Sequence, residues 1–310
     1  MVHIIDTHQL GRAGIVAATA LETDDGLALF DTGPESTFDN VVTGLGQAGF
    51  EVADVRHVFL SHIHFDHAGA AWRFANGAGP ARTRPGGRAA TVYVHPRGAP
   101  HLIDPTKLIK SATRIFGNDM ARLWGKIAPV STDRVKIVQD NEVVRVGQFE
   151  IRAIETLGHA DHHHVYQWDD NVFGGDVAGV RIGGGPPIPP FVPPELKIES
   201  WIESIHKIRA LNCARLYLPH FGKIDRSVPD HLDALEERVH CWSKWLRDKI
   251  RDALDEPRLI SEFAEYEHID LRAWGATEDD AQGYEAADPS YMAVAAAIRY
   301  WKKYHPEEIA

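Results

Sequence analysis

Two apolar runs near the start of the chain, "GIVAATALE" and "GLALFDTG", are joined by "TDDG", a pattern that predicts two strands and a tight turn. "TFDNVVTGLGQAG" then spaces its apolar residues as a helix does, and "VRHVFLSH" reads as a buried strand that ends among histidines. "GAAWRFAN" resumes as a helix, "TVYVHP" is a further strand, and residues 105 to 128 read as helical. Between them, "NGAGPARTRPGGRAA" is expected to be an exposed loop. A second strand set follows in "RVKIVQ", "EVVRVG", "FEIRAIETLGH" and "HVYQWDDNVFGGD". "RIGGGPPIPPFVPPEL" cannot be regular, because proline removes ladder donors and glycine lowers order. An amphipathic helix, "ESWIESIHKIRALN", leads to a short strand, "RLYLPHFG", and from Pro229 onward every apolar spacing is helical. No repeat at a solenoid period is visible. Strands and helices alternating in two blocks, closed by helices, predict an α/β (α+β) core over 1–226 and a C-terminal helical segment over 227–310.

Composition narrows the function classes. A formal net charge of -11 gives a polyanionic partner a repulsive average field, which argues against DNA or RNA. Cys213 and Cys241 make neither a metal spacing nor a disulfide framework, and both read as reduced packing residues. The N-terminus lacks a basic start followed by an apolar stretch, and no run approaches the ~18 apolar residues of a membrane span. The expectation is a soluble, cytoplasmic protein acting on a small molecule. Homo-oligomerisation stays open, since Trp242, Trp245, Trp274, Tyr291, Tyr300 and Trp301 suit either core or dimer contacts better than ligand contacts.

Of the 18 histidines, eight fall at 57–67 and 159–164. In "FLSHIHFDHAGA", His62, His64, Asp66 and His67 crowd into six residues after an apolar run. Grouped imidazoles repel once protonated and gain nothing from burial, so a metal ion, or two, is the natural compensation. His62 and His64 should project to one side of an extended loop, with Asp66 and His67 turning back from a helix that opens at the glycine. His159, Asp176 and His220 each stand just beyond another β-like run. Strands with aligned ends deliver such groups to one rim.

"SHIHFDH" resembles the His-x-His-x-Asp-His signature of the metallo-β-lactamase superfamily, and "LFDTG", "TLGHADHH", "GGDVAG" and "LPHFG" resemble its other motifs in order. The resemblance covers about residues 12 to 225. It implies a four-layer αβ/βα sandwich with two divalent metal ions at one edge, zinc first and iron or manganese as alternatives. It implies that His62, His64 and His159 hold one ion, that Asp66, His67 and His220 hold the other, and that Asp176 bridges them. Asp31 would support the histidine loop through hydrogen bonds, and His163 matches a position often filled by His in glyoxalase-like members. His162 and His164 have no assigned role.

A bridging hydroxide made available at neutral pH would hydrolyse an ester, thioester, lactone or phosphodiester, with Asp66 orienting it and carrying its proton. Lactam-cleaving members lack an aspartate at position 176, which leaves a small ester, thioester or lactone as the expected substrate, as in glyoxalase II and the lactonases. The alternative is a diiron protein that binds or reduces oxygen; such members usually carry Glu where this chain has His64. The loop from Gly183 to Pro194 follows Asp176 closely, and Phe191 at its tip is the candidate substrate contact.

Overall fold

Strand alternation decides the layering of this molecule. The computed structural model describes residues 1–77, 89–253 and 255–310, so most of the Gly-, Pro- and Arg-rich stretch expected as a loop lies outside the described residues. One six-stranded sheet is built, in spatial order, from β1 (Val2–Asp6), β2 (Ala17–Thr23), β3 (Gly26–Phe30), β4 (Val55–Phe59), β5 (Thr91–Val94) and β6 (Val135–Ile137). The first three strands are antiparallel, and β3 to β6 are parallel. Parallel neighbours need crossovers. These contain α1 (Phe38–Gln47), then α2 (Phe65–Ala68) and α3 (Ala71–Ala75), then α4 (Ala99–Ile103), α5 (Thr106–Phe116) and α6 (Met120–Trp124).

The second sheet runs β12-β11-β10-β9-β8-β7, from β7 (Val143–Val146), β8 (Phe149–Glu155), β9 (His164–Trp168), β10 (Asn171–Phe173), β11 (Arg215–Leu218) and β12 (Gly222–Lys223). Only β10 and β11 pair in parallel, and α7 (Ile198–Ala210) lies in their crossover. β1 is not among the expected strands. It forms by pairing along β2, from Val2 opposite Leu21 to Asp6 opposite Ala17.

Three apolar clusters separate four layers. Leu27, Leu29, Val58, Val92 and Val94 face the helices outside the first sheet. Their strand neighbours Ala28, Phe30, Phe59 and Tyr93 face the second sheet, where they meet Tyr166, Trp168, Phe173 and Tyr217. Phe30 stacks on Trp168 at 4.7 Å between ring centroids, and Phe59 on Tyr93 at 4.4 Å. Val165, Val172, Leu216 and Leu218 face outward onto α7 and the C-terminal helices. The period of two thus puts aromatic residues between the sheets and aliphatic ones under the helices. The result is an α/β four-layer sandwich with a helical C-terminal extension.

That extension comprises α8 (Val228–Arg251), α9 (Glu256–Ala273), α10 (Glu278–Ala287) and α11 (Ser290–Tyr304). Ser227, Asp255 and Thr277 cap three of these helices by accepting a backbone N–H. Leu232, Leu235, Trp242, Phe263 and Trp301 share one apolar cluster with Trp201 of α7 and Leu216 of β11. Trp242, Tyr300 and Trp301 are core residues and Trp245 packs against that core, whereas Trp274 and Tyr291 are exposed. Cys213 is buried, whereas Cys241 is exposed and so is not the core residue expected.

The loop after Asp176 departs from expectation in one respect. It is irregular, with a single bridge between Val180 and Ile188, yet Gly185 to Phe191 are all buried. Phe191 is fully buried between Trp201 at 5.5 Å and Trp242 at 5.9 Å. Phe191 is therefore a core anchor for a segment without a hydrogen-bond ladder, and not a substrate contact. Phe191→Ala should destabilise the protein by about 3–5 kcal/mol, measured as a shift in denaturant midpoint at unchanged m-value. A loss under ~1 kcal/mol would contradict its place in the core.

A second anomaly lies in the helical extension, where Glu267 and Asp288 are buried beside Glu285. Burial first, then Glu285 and Asp270, push the Glu267 carboxyl up to about 8 from an ordinary 4.5. Burial and the same acidic neighbourhood raise Asp288 well above the carboxylate range. A carboxyl raised in the folded state carries no penalty below the unfolded pKa of 4.5. Its penalty grows as pH climbs from there toward about 8, because only the unfolded chain ionises freely, and is constant above. Glu267→Gln should therefore stabilise the protein by on the order of a few kcal/mol at pH 8 and hardly at pH 4.5. Thermal melts at the two pH values check this; equal shifts would exclude a buried neutral carboxyl.

Candidate metal centre

The site sits where strands from both sheets leave their layers on one rim. Asp31 follows β3, Ser61 and His62 follow β4, Asp176 follows β10 and His220 follows β11. His159 lies in the turn between β8 and β9. His64 precedes α2, while Asp66 and His67 lie inside it, so the helix opens at Phe65 and not at the glycine.

Three sets of ligand atoms converge: His62, His64 and His159; His62, His67 and Asp176; and Asp66, His67 and His220. Within each set the atoms lie within 4.8 Å of one another. His62 Nε2 is 2.8 Å from His64 Nδ1, and His159 Nε2 is 3.2 and 3.1 Å from these two atoms. Asp66 Oδ2 is 3.3 Å from His67 Nε2 and 3.5 Å from His220 Nε2. Asp176 Oδ2 stands between the groups, 3.3 Å from both His159 and His67.

The outward nitrogens fix which atoms face inward. His159 Nδ1 donates to Pro190 O at 2.9 Å and His220 Nδ1 to Ile15 O at 2.8 Å. A carbonyl only accepts, so Nδ1 carries a proton and Nε2 is the nitrogen left to offer a lone pair to a cation. His67 Nδ1 donates to Asp31 Oδ2 at 2.8 Å, with the same consequence. Asp31 also accepts from Ser61 N and Ser61 Oγ, each at 2.7 Å, which leaves the Ser61 oxygen to accept from His62 Nδ1 at 3.0 Å. Four Nε2 atoms are thereby turned toward one point. His62 and His159, each with its proton on Nδ1, face each other lone pair to lone pair across 3.2 Å and cannot hydrogen-bond, and a cation resolves that clash.

Electrostatics agrees with that reading. Burial, reinforced by the neighbouring imidazoles, holds His62 well below the usual range and His64 at about 3, and burial likewise lowers His159. These three are neutral, as metal ligands need to be. Burial opposes charge on His67 and His220 too, but Asp176 and Asp66 outweigh it and raise both. Asp66 and Asp176 are held below the carboxylate range by His67 and other imidazoles in spite of burial. The two carboxylates thus stabilise positive charge in the middle of the cluster. His67 Nε2 and Asp176 Oδ1 have no hydrogen-bond partner among the described residues. The residues fit a pair of metal ions.

His163 lies beneath Asp176. Its Nδ1 is 2.8 Å from Thr156 Oγ1, and a Cβ on Gly175 would sit 2.3 Å from its Nε2, so Gly175 lets the Asp176 turn close over the ring. His162 borders the site: its ring is 5.7 Å from that of His64, and its Nε2 is 3.4 Å from Glu195 Oε2. His164 opens β9 and packs on His95 at 4.7 Å, away from the ligands.

Above the cluster lies a cavity of about 610 Å³. His64, Asp66, His159, His162 and Asp176 form its floor. Its walls come from Gln9 and Leu10, from α5 and α6, from Pro190 and Val192 to Glu195, and from Glu285 to Met292. The loop after Asp176 does reach the cavity, through the neighbours of Phe191. The C-terminal helices reach it as well, with Tyr291 as their aromatic contribution. The amphipathic spacing of "TKLIKSATRIF" is the one sequence signal for the α5 wall, but no local pattern says that its apolar face meets a cavity.

Such a sandwich, with its histidines and aspartates at one edge of two sheets, defines a class of metal-binding α/β proteins. The profile of the metallo-beta-lactamase superfamily matches residues 11–220, and the chain belongs to that family. Its members are generally hydrolytic metalloenzymes. A metallo-beta-lactamase fold-containing protein of Sulfurisphaera tokodaii is 27% identical over 57% of this chain and 64% of its own length. An N-acyl homoserine lactonase of Bacillus cereus is 37% identical over 18% of this chain and 32% of its own. The chain thus spans less than two thirds of the curated relatives it matches. Among solved structures, a metallo-beta-lactamase family protein from Thermus thermophilus superposes with a TM-score of 0.68 at 17% identity, covering 97% of this chain and 93% of that one. At that identity the likeness is one of fold. Among the described residues, no helix is long and apolar enough to cross a membrane.

Purified protein should carry about two transition-metal ions per chain, and Asp176→Ala should lose at least one, read by elemental analysis. Full occupancy in that variant would show that Asp176 does not serve both groups.

Proposed function

We propose that this protein is a dinuclear metal-dependent hydrolase of small esters, thioesters or lactones. The observation that carries this reading is the convergence of four inward-facing Nε2 atoms and two ionised carboxylates at the floor of an open cavity. His62, His64 and His159 would hold one ion, Asp66, His67 and His220 the other, with Asp176 toward both. Two divalent ions, zinc first and iron or manganese otherwise, supply Lewis acidity and lower the pKa of water toward neutrality.

The chain's own groups do the rest. Asp66 is the carboxylate on the cavity side, with its side chain 19% exposed, against 5% for Asp176. Held ionised by His67 and His220, it can accept a proton from water and return it to a leaving group. Among the described residues at the floor, no serine, threonine or cysteine is placed to compete as nucleophile. Ser61 is fully buried, and its hydroxyl proton is committed to Asp31. The apolar part of the walls can bind the substrate's non-reacting part. The lactonase similarity supports a lactone among the candidate bonds.

A screen of thioesters, lactones, aryl esters and phosphodiesters on protein of defined metal content tests this reading. Turnover is expected in one of the first three groups. Asp66→Asn should lower kcat by about 10²–10⁴-fold with an unchanged far-ultraviolet circular dichroism spectrum. Near wild-type turnover in that variant would remove Asp66 from the mechanism. An iron-based visible absorption band without any hydrolysis would favour the diiron oxygen-reactive alternative.

A further inference from the structure

We propose that the substrate carries a long apolar chain, which lies beneath the α5–α6 flap; this rests on the hydrolase reading of the same cavity. The cavity volume of about 610 Å³ corresponds to roughly twenty water-sized volumes, much more than an acetyl group and a small alcohol fill. Its floor carries the chemistry, and its flap wall presents Leu108, Ala112, Ile115, Phe116 and Trp124, with Lys107, Ser111, Asp119 and Arg122 among them.

The flap is unusual in where its apolar stripe goes. Leu108, Ala112 and Ile115 fall at i, i+4 and i+7, one face of α5. A stripe of this kind ordinarily packs on the core, yet Ala112 is the only buried residue of the helix. Ile115 remains 40% exposed, and two residues from distant segments of the same lining, Leu10 and Tyr291, are 46% and 38% exposed. Single exposed apolar side chains need no explanation. Three from separate segments, converging above candidate metal ligands, form a concave apolar surface continuous with the reacting centre.

The flap is held at its base, where Leu108 packs on the core outside the first sheet and polar bonds tie it to neighbouring segments. Gln9 Nε2 and Ser36 Oγ both donate to Leu123 O, at 3.3 and 2.7 Å, and Trp72 Nε1 donates to Lys126 O at 3.0 Å. Lys126 N donates to Glu35 Oε2 at 2.7 Å. Polar bonds at its base therefore keep the apolar face over the cavity without the protein covering it. A chain of methylenes removes that surface from water, and a polar or very short substrate does not.

Two ester series separate the possible attachments of the chain: acyl groups of two to ten carbons on one leaving group, and acetate esters of alcohols of the same lengths. In one series kcat/KM should rise about three- to fourfold per methylene until the cavity is filled. Ile115→Ser should flatten that slope. Ile269→Ser, at an exposed residue of α9 remote from the cavity lining, should leave it as in the wild type. Binding gives a readout that needs no turnover: by calorimetry, octanoate should bind at least about tenfold more tightly than butanoate, and Ile115→Ser should erase the difference. Ester hydrolysis that is flat in both series, with octanoate bound no better than butanoate, would overturn the apolar-chain proposal and leave the hydrolase intact. Length-dependent binding with no ester, thioester or lactone cleaved would support the apolar chain and overturn the hydrolase.

Discussion

The buried carboxylate of Asp31 ties the metal site to the fold. It accepts three hydrogen bonds, from the Ser61 backbone, the Ser61 hydroxyl and the His67 ring. β3 and β4 are parallel, so Asp31 and Ser61 emerge at the same rim. The bonds couple the end of one strand to the histidine turn that follows the other. Asp31 adopts a left-handed backbone conformation, φ 54°, which aspartate tolerates better than most residues. All three donors belong to the chain itself, so Asp31 orients the candidate ligands through Ser61 and His67.

The rest of the site depends on that rim in the same manner. Pro190 and Ile15 hold His159 and His220 by their carbonyls, and both belong to segments outside the strands. Backbone bonds from Ala17 N to Pro219 O and from His164 N to Ser61 O, each 2.7 Å, stitch the edges of the two sheets together beside the ligands. The aromatic layer between the sheets, centred on Phe30, Phe59 and Trp168, sets their separation. Ligand geometry is thus a consequence of sheet packing, and few of its supports are flexible side chains.

The helical extension contributes differently. Its core shares Trp201 and Leu216 with the second sheet, while its α10–α11 junction forms part of the cavity wall. The same extension buries the acids Glu267 and Asp288, the second of them at that junction. Asp288 also lines the cavity, and buried acids of this kind are a frequent companion of binding surfaces.

Local rules make much of this legible in the chain. Strand period, helical spacing and turn residues locate most elements, because each depends on neighbours a few residues away. The histidine and aspartate motifs announce a metal site for a similar reason: such crowding is unfavourable without a cation, whatever the fold. Three things lie beyond local reading. β1 exists because β2 offers it a partner, Phe191 is core because Trp201 and Trp242 come from helices farther along the chain, and the cavity joins segments from Gln9 to Met292. Residue order alone is enough to establish the periodicity of the layers and the ligand chemistry. Which apolar residues enter the core and which are left facing the cavity is settled by tertiary packing, since a side chain's burial depends on what arrives from elsewhere to cover it.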